Sequence, residues 1–373
     1  MRFAYLGRFK ENDDATSIRV KNIGRILNMA GHSVDYICQE GFGDNVSKDG
    51  FNYYFSNVEK PKIKVFVEWI TGKNAFQKFL NLNSANKYDA VVLYNVTSVF
   101  AKRVLKYCRK KNIKVIGDVT EWYEVKGCHK AGVRLFRKLV ENRITKIDQK
   151  MDGIISISHY LTDYYQKKSI PVVEIPPVFE YVPERNSNTK NDNPVVIYAG
   201  NPSDKDELDV IFNALRIVNA EGIVINVDFV GTKKPINAEN LEKIGIFFFP
   251  RCTNIEVVRM ISKADYTVLF RKKKRFAMAG YSTKCAESLY NGIPVICNEV
   301  GGADIDIVNG ETGIKIENLT EKAVVEGFRI AAYTDTEKRN EMKRKCCYFG
   351  GNKYYYGSYV KTMQMFLKRL NLK

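Results

Sequence analysis

The sequence predicts an α/β protein with parallel sheets, arranged as two domains, and three observations carry that reading. Short apolar segments alternate with longer helix-period segments along the chain, the pattern of strand, crossover helix and strand that builds a parallel sheet. At 373 residues the chain is long enough for two cores of ordinary size. The run PERNSNTKNDNP, residues 183–194, is polar and turn-rich, and a fresh apolar strand starts directly after it at Val195. The boundaries that follow are 1–183 for a first domain, 184–353 for a second and 354–373 for an aromatic-rich amphipathic tail.

Residues 2–6 form an apolar strand, with Gly7 and Arg8 at its C-terminal end, the edge at which open α/β sheets hold ligands. Gly7 fits either a plain tight turn or a place where the backbone approaches a substrate. Residues 15–30 have helix spacing, Gly31 stops them, and 33–38 return as a strand. Residues 60–82 mix lysines with apolar side chains, and their second half fits an amphipathic helix, in a core or beside a membrane or acceptor. Residues 89–94 and 113–119 are buried strands around a basic helix at 99–111. The second strand runs into GDVTEWYE, which sets two carboxylates at the C-terminal edge of a central strand. Glu121, with Asp118 second, is the candidate catalytic group; the same residues also fit capping of the next helix or pairing with Lys126. Residues 133–151 predict a basic amphipathic helix, a pattern shared by helices that dock on anionic lipid and by core helices with a solvated basic face.

In the second half, the strand at 195–199 runs into GNPSDKDELDVIFNAL. Gly200 ends the strand, and Lys205, with Asn201 nearby, stands where a cation reaches a diphosphate or is simply solvated. Strands follow at 223–230, 247–250 and 264–270, with a helix at 254–262 between the last two. The third delivers five cations, residues 271–275. Such runs are ordinarily solvated surface, but the strand order feeds this one to the sheet's functional edge and singles out Arg271. Then comes FAMAGYSTKCAESLYNGIPVIC, residues 276–297. Gly280, Tyr281, Ser282 and Thr283 form a loop ending in helix-capping residues, 284–290 are helix-compatible, and Asn291-Gly292 supply the stop. A helix N-terminus offers unpaired N–H groups and a partial positive charge, so this loop can seat a phosphate. Lys284 adds a full charge there, and Glu287, one turn on along the same face, is placed to accept hydrogen bonds from sugar hydroxyls. An ordinary loop-helix-strand unit has the same spacing.

The run AGYSTKCAESLYNGIPVI, with Gly301-Gly302 and NGETG at 309–313, resembles the donor-binding segment of family 4 of the glycosyltransferases and their GT-B-fold relatives. The resemblance implies two Rossmann-like parallel-sheet domains facing a central cleft, and a retaining hexosyltransferase-type activity. It implies a nucleotide-sugar donor, UDP- or GDP-linked, taken as a substrate with no separate cofactor. Glu287 matches the family's ribose-binding glutamate, and Ser282-Thr283-Lys284 resembles a loop variant of some members. Ala279 stands where members commonly carry a first glutamate, and no histidine follows residues 117–124 until His129, so the sugar-contacting roles of those two positions do not transfer.

A formal charge of +17 and a pI near 9.3 fit an anionic partner, whether nucleic acid, a membrane surface or a phosphorylated substrate, and fit equally a lysine-rich surface. No helix-turn-helix, zinc or RNA-binding signature supports nucleic acid as the partner. The eight cysteines are scattered without a C-x-x-C pair, and with three histidines they give neither a zinc spacing nor a disulfide framework. Asp304-Ile305-Asp306 follows the GG turn and is read as not a metal site, so no metal is expected. No apolar run approaches the roughly 20 residues that span a bilayer, and the N-terminus turns polar too soon for a secretory signal. The combined expectation is a cytoplasmic transferase, peripheral on the inner face of a membrane, whose acceptor is lipid-linked or a glycan in bacterial cell-surface glycan synthesis. Its rivals are a nucleotide-sugar-binding protein without transferase activity and a nucleic-acid-binding protein.

Overall fold

The computed structural model describes residues 1–11, 14–41, 43–56, 62–126, 130–180, 193–200, 206–236 and 238–372. The chain forms two compact units, Met1–Val178 with Tyr356–Lys373, and Phe179–Tyr355. The sequence analysis set these boundaries at 183/184 and 353/354; most of the linker it named lies outside the described residues.

The first unit holds eight strands, β1 (Arg2–Gly7), β2 (Ser33–Cys38), β3 (Val46–Lys48), β4 (Phe51–Phe55), β5 (Ala90–Tyr94), β6 (Lys114–Val119), β7 (Gly153–Ser156) and β8 (Val172–Glu174). Their order is β3-β4-β2-β1-β5-β6-β7-β8, all parallel except β3, which runs antiparallel to β4. The chain builds outward from β1 to β2 on one side and resumes at β5 on the other, so the order reverses between β1 and β5. There Gly7 pairs with Cys38 and Tyr94. The helices are α1 (Ala15–Met29), α2 (Lys62–Thr71), α3 (Lys73–Asn86), α4 (Ser98–Lys110), α5 (Ala131–Asn142) and α6 (His159–Gln166). Asp14 caps α1 by accepting from the Ser17 amide at 2.8 Å.

Two helices differ from expectation for local reasons. Gly72 (φ 53°) splits the stretch at 60–82 into α2 and α3, and a Cβ there would lie 2.3 Å from the Phe100 ring. The basic helix expected at 133–151 ends at Asn142 and continues as a π-helical turn, Arg143–Ile147. Arg143 is buried there, 3.4 Å from the buried Asp148 carboxylate and donating to the Val96 carbonyl, and that inward tether breaks the α-helical register.

The second unit has six strands, β9 (Val195–Ala199), β10 (Asn226–Val230), β11 (Ile246–Phe249), β12 (Tyr266–Leu269), β13 (Val295–Asn298) and β14 (Gly313–Ile316). Every pairing is parallel, in the order β11-β10-β9-β12-β13-β14, and the reversal falls between β9 and β12. Its helices are α7 (Asp209–Val218), α8 (Ala238–Glu242), α9 (Asn254–Lys263), α10 (Arg275–Ala279), α11 (Thr283–Tyr290), α12 (Glu321–Tyr333) and α13 (Thr336–Lys353). Thr253 and Glu256 form a reciprocal capping box at the start of α9. Lys343 of α13 is fully buried, donating to the Ala264 carbonyl at 2.7 Å and to Asp265 at 3.3 Å, which ties α13 under the start of β12. The last helix, α14 (Val360–Arg369), belongs to the first unit, where Met363, Phe366 and Leu367 join the core. Among the described residues no helix is long and apolar enough to cross a membrane.

One buried charge in this frame has a testable consequence. Burial pushes the Asp228 carboxyl on β10 up from 3.8 to about 6. The folded state therefore holds that proton more tightly than the unfolded chain. Ionisation costs nothing below pH ~4, costs progressively more as pH rises toward 6, and costs its full amount above that. Asp228→Asn is expected to raise thermal stability at pH 7, by on the order of 1 kcal/mol after allowing for partial exposure, and to change nothing at pH 4. Circular-dichroism melts at the two pH values check this; equal shifts at both would contradict it.

Candidate functional site

The reversal point of the second sheet gathers four residues that the sequence keeps far apart. Gly200 follows β9 with φ 113°, its amide donating to the Val230 carbonyl at 2.9 Å. The Lys284 side chain lies against it, and a Cβ at residue 200 would come 3.2 Å from Lys284 Cε, a contact the lysine would relieve by a small shift, while the positive φ itself favours glycine. Two residues beyond β12 stands Arg271, whose backbone is held by Asn298 through a donated and an accepted bond, both 2.9 Å. Between these strand ends sits Asp206, which accepts from Tyr198 Oη at 2.8 Å, Arg271 Nε at 2.9 Å and Lys284 Nζ at 3.3 Å. Lys284 also donates to Tyr198 Oη at 2.6 Å. Among the described residues, two cations thus face the Asp206 carboxylate.

Burial alone would raise the Asp206 carboxyl, but Lys284 and Arg271 outweigh it and hold it below the usual carboxylate range. Lys284 is moved down by burial, which Asp206 opposes. Neither Asp206 nor Tyr198 was singled out from sequence. The signal available was that both flank Gly200 at the strand end facing the Arg271 strand.

Ser282 is buried and caps α11, its Oγ accepting from the Cys285 amide at 3.3 Å. Thr283 opens the helix, and Lys284 and Glu287 stand one turn apart on it. Glu287 is half-buried, and its carboxylate has no hydrogen-bond or ion-pair partner among the described residues. Burial raises its pKa, with Lys284 opposing. Gly280 is in extended backbone, φ −78°. The Tyr281 side chain turns away from this cluster: its hydroxyl donates to Asp306 and meets the Tyr354 hydroxyl at 2.8 Å. Asp306 also accepts from Tyr354 Oη at 2.7 Å and pairs with Lys353, so its carboxylate is committed to holding the loop before α11. Asn201 and Lys205 lie outside the described residues. Among those described, no three or more His, Cys, Asp and Glu side chains gather into a set that could hold a metal ion.

In the first unit, a cavity of about 430 Å³ opens at the β1/β5 reversal, lined among others by Arg8, Glu40, Asn95, Glu121, Phe136 and Arg137. Glu121 therefore stands on a cavity wall. Arg8 is fixed by Glu40 at 3.2 Å and by the rings of Trp69 and Phe136, 4.1 and 4.8 Å from its guanidinium carbon. Two sequence assignments are corrected here. Asp118 is completely buried, bonded to Arg19 at 2.9 Å and to Tyr5 Oη at 2.6 Å, so it cannot meet a reacting group. Arg19 passes the tie on to the carbonyls of Ile175 and Pro176. Gly7 is glycine because a Cβ there would lie 2.1 Å from the Tyr94 carbonyl oxygen of β5, so packing between strands, and not a tight turn, accounts for the residue.

Two mainly parallel sheets, each with polar groups gathered at its reversal point, define the class: a doubly wound α/β protein with its polar clusters at strand ends. Residues 183–346 match the family described as Glycosyl transferases group 1. The whole chain has the GT-B fold of its structural neighbours. Sucrose-phosphate synthase from Thermosynechococcus elongatus superposes with a TM-score of 0.72 at 14% identity, covering 99% of each chain. WaaG, a glycosyltransferase involved in lipopolysaccharide biosynthesis, gives 0.65 at 14% identity over 97% of this chain and 98% of its own. Anabaena HepE in complex with UDP-glucose gives 0.63 at 10% identity over 99% of each. A search of curated protein sequences found no match.

Proposed function

We propose that the protein transfers a sugar from a nucleotide diphosphate donor to a lipid-linked or glycan acceptor in bacterial cell-surface glycan synthesis, with retention of configuration and without a metal ion. The observation that carries this reading is the placement of Arg271 and Lys284 beside Gly200, next to the capped start of α11 and the unpartnered Glu287 carboxylate. Arg271, Lys284 and the first amides of α11 hold the diphosphate, and Glu287 accepts from the ribose hydroxyls. In the reaction the bond from the anomeric carbon to the diphosphate oxygen breaks and a bond to the acceptor oxygen forms. The acceptor proton passes to the departing diphosphate, whose growing charge the cations and helix N-terminus stabilise. Glu121, on the cavity wall of the first unit, meets the acceptor hydroxyl. A neighbour solved with UDP-glucose supports a UDP-linked donor, and the match of residues 183–346 to Glycosyl transferases group 1 supports transfer over binding alone.

The test is incubation with labelled UDP-glucose and GDP-mannose, with and without a bacterial membrane extract as acceptor source, in the presence of EDTA. The expected result is acceptor-dependent release of nucleoside diphosphate and label in the extract. Donor binding with no turnover in any arm favours a nucleotide-sugar-binding protein instead.

A further inference from the structure

Helices α2 and α5 meet on the surface of the first unit, where a Cβ at Gly132 would lie 3.4 Å from Phe66 Cζ. Around that seam four aliphatic side chains face solvent: Ile63 (68% exposed), Val67 (51%), Leu135 (47%) and Val133 (41%). Isolated exposed aliphatics are ordinary, but Ile63 and Val67, one turn apart on α2, and Leu135, one turn from Gly132 on α5, flank the same seam, while Val133 faces the cavity side of α5. Lys62, Lys64, Arg134 and Lys138 border it, all exposed and none with an acidic partner among the described residues. The one carboxylate of α2, Glu68, is buried and spent on capping α3, accepting from the amides of Asn74 and Ala75 at 2.9 and 3.0 Å. The patch is thus apolar and predominantly cationic, with Glu141, one turn beyond Lys138, the acid of α5.

Helix α5 walls the cavity of this unit, and α2 reaches its rim through Trp69, which stacks on the lining residue Arg8. Trp69 of α2 and Phe136 of α5 sandwich Arg8, and Val133, Phe136 and Val140 line the cavity itself. We propose that this face docks on an anionic lipid bilayer, with Ile63, Val67 and Leu135 entering the interface and the four cations meeting lipid phosphates. Nucleic acid would engage the cations but leave the aliphatic residues in water; a bilayer satisfies both. The inference deepens the transferase reading, on which it rests for the acceptor alone: a lipid-linked acceptor would reach the cavity from the surface that carries it.

The test is flotation of the full-length protein with vesicles of phosphatidylcholine alone or with phosphatidylglycerol added, no nucleotide sugar being present. Wild type is expected to float with anionic vesicles and stay behind with neutral ones. Ile63→Ser/Leu135→Ser and Lys64→Glu/Lys138→Glu should each lower binding by about tenfold or more. Lys322→Glu/Arg329→Glu, an equal charge change at exposed positions of α12, should leave it within about twofold. Failure of wild type to float with anionic vesicles overturns the proposal, as does an equal loss in the α12 variant, which would make bulk charge the cause. Circular dichroism guards against misfolding, and the charge pair tests the patch without touching an apolar side chain. UDP-glucose binding measured in parallel separates the two readings, since a chain that floats but binds no nucleotide sugar contradicts only the transferase.

Discussion

Lys284→Ala is expected to weaken binding of UDP and of UDP-sugars by roughly 10- to 100-fold, the loss that goes with one charge-assisted hydrogen bond to phosphate. Lys284 stands in the first turn of α11 and reaches back to Gly200 at the end of β9, so it serves the phosphate seat of both elements. The substitution leaves Asp206 bonded to Arg271 at 2.9 Å and to Tyr198 at 2.8 Å, so the buried carboxylate keeps a cation and the fold should survive. Titration calorimetry with UDP reads the effect. Unchanged affinity in a folded variant would remove Lys284 from the phosphate site and leave its bonds to Asp206 and Tyr198 as its whole purpose.

The second large effect falls on stability. Arg19 and Asp118 are an ion pair with almost no solvent exposure, and removing one partner strands the other's charge in the core. Asp118→Asn is expected to cost about 3–5 kcal/mol, and Arg19→Met/Asp118→Leu less than either single change, because no unpaired charge remains. Both tryptophans of the chain, Trp69 and Trp122, lie in the first unit, so their fluorescence follows the unfolding of that unit without interference from the other. If Asp118→Asn unfolds at the wild-type denaturant concentration yet abolishes turnover, Asp118 has the catalytic part that its burial denies it.

What the sequence revealed depends on the range over which each signal acts. Strand and helix alternation is local, and it pointed to the parallel sheets and to a helix at 284–290 after a Ser/Thr capping loop, observed as Thr283–Tyr290 capped by Ser282, because period and capping are written within a few residues. The positions of Lys284 and Glu287 on one face followed from helix geometry alone. Asp206 was invisible because its meaning comes from Arg271, 65 residues away, and Lys284, 78 away. Asp118 misled for the same reason: a carboxylate at a strand end looks available until Arg19, 99 residues away, is seen to cover it. Gly72 and Arg143 show the complementary limit. Helical spacing runs through both, and what interrupts it is a tertiary contact, with the Phe100 ring in one case and Asp148 in the other.

The central claim is that a diphosphate is held between Arg271, Lys284 and the start of α11. A crystal structure of the protein with UDP bound tests it most directly. The account predicts phosphate oxygens within hydrogen-bonding distance of Lys284 Nζ, Arg271 and the amides at Thr283 and Lys284, with the ribose hydroxyls on Glu287. UDP seated elsewhere, with Lys284 still closed on Asp206 and Glu287 untouched, would contradict it.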